Sequence, residues 1–388
     1  MTDIPAAPLD PAGVEPALRP FGASRTLPAA AYLDPAVLAW ERRHLFAGAW
    51  TCLGRLDELA EGCTHRAVTA GDVGVLLTFP GTEQGGGVRA FANVCRHRGH
   101  ELLADGEAVD RPSAVCPYHG WAYRLDGSLA TAPHMAGTAA FDPGALGLVE
   151  LPLATWHGWL LVNAGHAAPH IDAYAGALDG LLRPYHIETL RLGARHDYQV
   201  HANWKVIVEN YQECYHCPLI HPELCRVSPP TSGDNWVLPG AWVGGTMDLR
   251  DHAETMSFDG TGPGTFIDGA PRRTILYVAL FPNLLVSAHP DYVMTHRLTP
   301  VAPDRTDIEC SWYFPHTDID TAYAVDFWDL TNRQDWAACE SVQRGLSSPH
   351  YVPGPLANNE DAVYQWISLV AGAYLDPVGA LARSVLAS

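Results

Sequence analysis

The feature that most restricts this chain is a pair of Cys–His couples, Cys95-x-His97 and Cys116-x-x-His119, with 18 residues between His97 and Cys116. Two thiolates and two imidazoles on short loops specify a metal centre. They suit either a tetrahedral zinc or a [2Fe–2S] cluster with Cys on one iron and His on the other. Either group needs two tight loops held side by side, which a small β domain supplies. The loop residues favour the cluster: Gly99 follows the first couple, and Pro117 and Gly120 flank the second, so backbone N–H groups can curl around sulfur. The surrounding texture agrees. Short β-rich runs, Val73–Phe79, Val88–Val94 and Trp159–Val162, alternate with turn residues such as Asp126–Gly127.

Outside that region the pattern changes. Asp34–Ala47 carries an acidic residue and Pro ahead of apolar residues at helical spacing, which predicts a capped helix. Residues 169–190 read as helical, Arg195–Val200 as a strand, and Trp204–Cys217 as a helix that Pro218 ends. Dense Gly and Pro across Pro229–Gly269 predict long loops over a cavity. Strands are expected at Thr274–Phe281, Leu284–His289, Val293–Thr299 and Ile308–Phe314, then helices at Thr321–Arg344 and Asn359–Ala373. Met1–Leu27 reads as a flexible lead-in. The expected fold class is α+β. An all-β domain, residues 49–165, is inserted in a larger domain whose antiparallel sheet is flanked by helices; that domain takes the tail and helix of 1–48 together with 166–388.

A second constellation lies in the predicted helix, Glu213-x-x-His216-x4-His221. Two His and one carboxylate, with positions left open, make the facial triad that holds non-haem Fe(II) for O2 chemistry. The spacing alone fits polar helix-end residues equally well.

The string C-x-H…C-P-Y-H-G-W resembles the Rieske iron–sulfur motif. Respiratory Rieske proteins carry an extra Cys in each loop and a Ser beside the cluster; here those places hold His100, Tyr118 and Trp121, as in the ferredoxin and oxygenase type. Together with the Glu213–His221 string, residues 35–375 resemble the alpha subunits of Rieske non-haem iron oxygenases, the aromatic-ring-hydroxylating dioxygenase family. The resemblance implies that Cys95, His97, Cys116 and His119 hold a [2Fe–2S] cluster and that His216 and His221 hold a mononuclear Fe(II). Asp335 stands where the family's third ligand stands, with Glu340 and then Asp329 as the alternatives. Glu213 occupies the position of a carboxylate that bridges an iron-ligand His to a Rieske His across a subunit interface, here His216 to His119 of the partner subunit. That arrangement implies a head-to-tail homotrimer. Glu in place of the usual Asp is shared with the choline, glycine betaine and carnitine monooxygenases.

The rest of the chain narrows the function. A formal net charge of −19 (24 − 43) argues against a nucleic-acid partner, which needs a basic footprint. The N-terminus lacks a signal-like apolar core and the apolar runs are strand-length, so neither export nor a membrane is expected and the default is cytoplasmic. Nine Cys in so long a chain make no disulfide scaffold. No G-x-G-x-x-G follows a strand, and the Gly85–Gly87 run lacks the spacing, so NAD(P)H can serve only through a separate reductase, with flavin and an iron–sulfur centre or through a ferredoxin. Arg96 and Arg98 could dock an acidic donor. Trp236, Trp242, Phe258, Phe266, Tyr277 and Phe281 are the aromatic candidates for a substrate cavity. The expected function is that of a terminal oxygenase taking O2 as co-substrate and hydroxylating or N-demethylating a betaine-like quaternary ammonium compound. An aromatic or natural-product substrate is the alternative within this chemistry, and a zinc-bearing binding protein without redox activity is the alternative outside it.

Overall fold

The computed structural model describes residues 4–81, 87–165 and 169–376 and divides into two compact units, 42–168 and 1–41 with 169–388. Gly85 and Gly86 lie outside the described residues.

The smaller unit is built from antiparallel strands in three sheets. One runs Ala108–Val109, His65–Ala70, Val73–Thr78, Arg89–Ala92, Glu150–Leu151 in spatial order. The others are Thr51–Arg55 with Trp159–Val162 and Leu153–Trp156, and Ser113–Val115 with Ala122–Arg124 and Leu129–Thr131. Alternate side chains of Val73–Thr78 feed two cores, as the period of a strand requires. Val75 and Leu77 join Leu53, Leu160 and Val162, whereas Leu76 joins Phe91, Cys95, Cys116, Trp121 and Tyr123. The two Cys–His loops are thus rooted in the second core. The Asp126–Gly127 turn needs its glycine: φ is +81°, and a Cβ there would lie 2.3 Å from the Phe91 ring.

The larger unit centres on a seven-stranded antiparallel sheet. Its order is Arg191–Val200, Arg305–Phe314, Val293–Ala302, Leu284–Ala288, Thr274–Leu280, Trp242–Asp248, Asp234–Asn235. Helices Trp204–Tyr211, Ala322–Leu346 and Asp361–Leu375 complete it. A buried ion pair ties three distant segments. Lys205 Nζ lies 2.6 Å from Glu41 Oε1, both side chains fully buried, and Glu41 also accepts from Trp204 Nε1 (2.8 Å) and from the Tyr374 hydroxyl. No helix among the described residues is long and apolar enough to cross a membrane.

Three sequence expectations change. The described part of the lead-in is packed, not flexible: Val14, Ala17 and Leu27 are fully buried, and Ala7 N donates to Tyr374 O at 2.9 Å. Its Ala and Pro content hid scattered core residues. The Pro229–Gly269 region contains the strand Trp242–Asp248, because Gly244 and Gly245 admit a close neighbour; a Cβ would meet Tyr277 O at 2.1 Å or Asp234 O at 1.9 Å. The predicted helix Trp204–Cys217 stops at Tyr211, and Pro218 opens a helix instead of ending one. Pro sits in the first turn of Cys217–Ile220, where its missing N–H would have had no partner in the helix anyway.

Candidate metal centres and substrate cavity

Helix Trp204–Tyr211 begins at Asn203, whose side chain accepts from Lys205 N at 3.1 Å, and closes with Gln212 N on the Val208 carbonyl. The chain then unwinds. The Glu213 carboxylate holds the turn by accepting the backbone N–H groups of Tyr215 and His216, the latter at 3.1 Å. His216 and His221 flank the short helix Cys217–Ile220, and helix Ala322–Leu346 brings Asp335 to them. His221 Nε2 lies 2.9 Å and His216 Nε2 3.3 Å from Asp335 Oδ1, and the two Nε2 atoms are 3.1 Å apart.

The outer nitrogens decide the tautomers. His216 Nδ1–H donates to Glu213 Oε1 at 2.5 Å and His221 Nδ1–H to Gln334 Oε1 at 2.7 Å. Both Nε2 lone pairs and the Asp335 carboxylate therefore face one point, with the three ligand atoms within 4.8 Å of one another. Converging acceptors repel unless a cation sits among them, so this donor set fits a divalent metal with open positions. Without a metal, protons on the two Nε2 atoms take its place between the imidazoles and Asp335. Burial would raise the Asp335 carboxyl, yet the bonds from His216 and His221 hold it down at about 2. Burial would lower His216, yet Asp335 and Glu213 push it up to about 9. The other two carboxylates are engaged elsewhere: Glu340 Oε1 accepts from His201 N at 3.1 Å, and Asp329 is bonded to Tyr198, His196 and Arg333.

In the smaller unit the two Cys–His loops repeat one design. Gly99 N donates to Cys95 O and Gly120 N to Cys116 O, both at 3.0 Å, with φ of +77° and +71° at the glycines. Cys95 N then bonds His100 O and Cys116 N bonds Trp121 O. Both sulfurs are buried, whereas His119 is exposed. The His97 and His119 rings lie 4.7 Å apart, and His97 stacks on Trp121 at 4.8 Å and 5°. Two buried sulfurs and two imidazoles, one reaching solvent, form a donor set that suits a group passing electrons through its His side.

A relative in Escherichia coli, the carnitine monooxygenase oxygenase subunit, is 36% identical over 336 residues, covering 84% of this chain and 85% of its own. This chain belongs to the Rieske non-haem iron oxygenases. The Rieske [2Fe-2S] domain family matches residues 49–142, and the catalytic domain of the ring hydroxylating alpha subunit family matches 187–373. The glycine betaine monooxygenase oxygenase subunit of Chromohalobacter salexigens is 29% identical, covering 95% of this chain and 90% of its own. The solved structure of a quaternary ammonium Rieske monooxygenase superposes with a TM-score of 0.76 at 24% identity, covering 96% of this chain and all of that one. Membership implies a Rieske cluster, a mononuclear iron, O2 as co-substrate and electrons from a reductase.

In this Rieske oxygenase the triad forms part of the wall of a cavity of about 420 Å³. Of the six aromatic candidates from the sequence only Tyr277 lines it; Tyr211, Trp328 and Trp336 join it. Trp242 and Phe281 are core residues, Phe258 is exposed, and the Phe266 ring lies under Arg272. Alternation along a strand cannot say which face meets a cavity, so the missed residues come from helices. Sequence reasoning also missed Gln334, Asn210, which donates to Asp335 Oδ1 at 2.7 Å, and Tyr123, whose hydroxyl accepts from Arg96 N at 2.9 Å and lies 3.3 Å from Cys95 Sγ. Adjacency to Asp335 was the only signal for Gln334. Two of the nine cysteines, Cys214 and Cys217, form a disulfide, because the unwound turn brings their Cα atoms to 4.9 Å. Arg96 and Arg98 are exposed, Arg98 over the Tyr118 ring at 5.4 Å.

Proposed function

We propose that this chain is the terminal oxygenase component of a system that oxidises a methylated quaternary ammonium compound. Cys95, Cys116, His97 and His119 would hold the Rieske cluster, and His216, His221 and Asp335 the mononuclear iron. Bound there, the two groups supply a stored electron and an O2-activating site. The reaction takes in one C–H bond, one O2, two electrons and two protons, and yields one C–OH bond and one water. An N-methyl group hydroxylated in this way then leaves as formaldehyde.

The chain's own residues position the parts. Glu213 and Gln334 fix the imidazole tautomers, and Asn210 steadies Asp335. The Tyr211, Tyr277 and Trp328 rings can hold a quaternary ammonium by cation–π contact, worth about 0.5–2 kcal/mol each. Electrons would come from a flavin and iron–sulfur reductase, directly or through a ferredoxin. In a homotrimer Glu213 would link His216 to His119 of the partner subunit. Apart from the cluster ligands Cys95 and Cys116 and the Cys214–Cys217 disulfide, the remaining five cysteines are thiols, which suits a reducing cytoplasm.

The observation that carries this reading is the convergence of three metal-binding atoms on the wall of a cavity with aromatic sides. The purified protein is expected to show a Rieske spectrum by visible absorption and EPR. With a reductase and NADH it is expected to couple NADH use to product formation from quaternary ammonium compounds. A colourless protein with no iron would overturn the reading, as would a silent panel. Glu213→Gln is expected to keep the Rieske cluster and lose nearly all turnover; full activity would refute the bridge.

A further inference from the structure

We infer that the cavity selects an organic cation that carries no carboxylate, choline-like and not betaine-like. The inference rests on the quaternary ammonium reading above and narrows it. Among the described residues lining the cavity there is no Lys and no Arg. The acidic residues in its wall are Glu213, Asp234, Asp335 and Asp361. His216 and His221 are committed to the metal centre. His296, the remaining imidazole, is held neutral, since burial pushes it down to about 4 against the pull of Asn332 and Asp335.

Glu213 and Asp335 serve the metal centre, so away from it a substrate carboxylate would meet no cationic side chain and would face Asp234 and Asp361. Desolvating an unpaired anion beside like charges is strongly unfavourable. The amide donors nearest the acidic groups are taken, and the unpartnered donors of the wall, Gln212 Nε2, Trp336 Nε1 and the Tyr277 hydroxyl, carry no charge. Asn210 serves Asp335, Asn235 donates to Asp361 Oδ1 at 2.7 Å, and Asn332 Nδ2 faces Cys310 Sγ at 3.6 Å.

A cation meets the opposite conditions. The Tyr211 and Tyr277 rings stand 6.2 Å apart at 72°, and Tyr277 and Trp328 6.4 Å apart at 65°, so neighbouring ring faces turn towards different sides of one space. The buried Tyr277 hydroxyl has no hydrogen-bond partner, and burial keeps it protonated, well above the usual phenol range. It is a free neutral handle that a substrate hydroxyl satisfies and that brings no positive charge for a carboxylate.

The test is calorimetric binding to the iron-loaded full chain without O2, comparing choline, its uncharged carbon analogue, glycine betaine and carnitine. Choline is expected to bind at least tenfold tighter than either zwitterion and than the carbon analogue. Asp234→Asn with Asp361→Asn is expected to shrink the preference over the zwitterions to about threefold or less, with the Rieske spectrum unchanged as the check on folding. Glycine betaine or carnitine binding as tightly as choline would overturn the inference and leave the quaternary ammonium reading standing. Failure of all three to bind, or a carbon analogue as tight as choline, would overturn that reading and the inference with it.

Discussion

Gln334 holds one ligand of the proposed iron site in its working form, and its removal has a calculable cost. Its Oε1 accepts the His221 Nδ1–H at 2.7 Å, and His221 is 1% exposed, so no water can readily replace it. In Gln334→Met the metal-bound state must keep that proton on Nδ1 without an acceptor. A buried donor left unpaired costs about 1–3 kcal/mol. The metal-free state escapes the cost by moving the proton to Nε2, where Asp335 Oδ1 accepts it at 2.9 Å. The whole penalty therefore falls on metal binding. It amounts to a factor of roughly 5–150 in iron affinity, a range that encloses the usual 10–100-fold effect of a residue supporting a metal ligand. The assay is anaerobic Fe(II) competition against a chelator, with the Rieske absorption as an internal standard. Gln334→Glu keeps an acceptor and is expected to recover most of the loss. Iron affinity in Gln334→Met within about threefold of the parent would refute the argument.

Asp335→Asn replaces an anionic ligand by a neutral amide; metal analysis is expected to find the mononuclear iron lost and the Rieske iron retained. Lys205→Met strands the buried Glu41 carboxylate and is expected to destabilise the larger unit by about 3–5 kcal/mol in denaturant unfolding. Adding Glu41→Gln keeps an acceptor for Trp204 and is expected to restore most of that stability; no recovery would count against the charge explanation. Burial lifts the Glu209 carboxyl from 4.5 to about 7, so between those values the folded chain binds more protons than the unfolded one and stability falls as pH rises. Relative to the parent, Glu209→Gln is expected to gain stability progressively over that window, up to about 3 kcal/mol, and to show no gain below it. A gain independent of pH would exclude the titration.

The proposed metal-binding residues were legible because ligation is a matter of residue type and spacing. Cys95, His97, Cys116 and His119 sit on paired loops, and His216 with His221 on one short stretch, so sequence separation carried the geometry. Asp335 was reachable only by resemblance, since 114 residues separate it from His221 and no local pattern links them. Arg195–Val200 showed through its alternation, and Thr274–Leu280 and Leu284–Ala288 through short apolar runs of strand length. The unwinding after Tyr211 did not, because Glu213, Cys214 and Tyr215 are ordinary helix residues and the turn is held by a side chain reaching its own backbone. The cavity wall was least legible. Trp328 and Trp336 sit on a long helix whose buried face serves the core and the cavity alike, and only the tertiary structure separates the two.

That unwound turn explains why the ligand spacing works. Residues five apart on a continuous helix are rotated by about 500°, so their side chains leave the axis some 140° from each other and cannot share a metal. Breaking the helix removes the constraint, but it leaves the N–H groups of Tyr215 and His216 without helical acceptors. Glu213 supplies both, using Oε2, while Oε1 orients His216. One carboxylate therefore keeps the turn open and sets the tautomer of the ligand that the turn presents. Asp at this place reaches one methylene less far, and one carboxylate would be hard pressed to meet the two N–H groups and the imidazole together. The extra length of Glu213 thus has a local structural reason here, independent of any role across a subunit interface. Glu213→Asp tests the local reason: a loosened His216 turn, seen as weakened iron binding in the chelator competition, is expected, and iron affinity within about threefold of the parent would refute it.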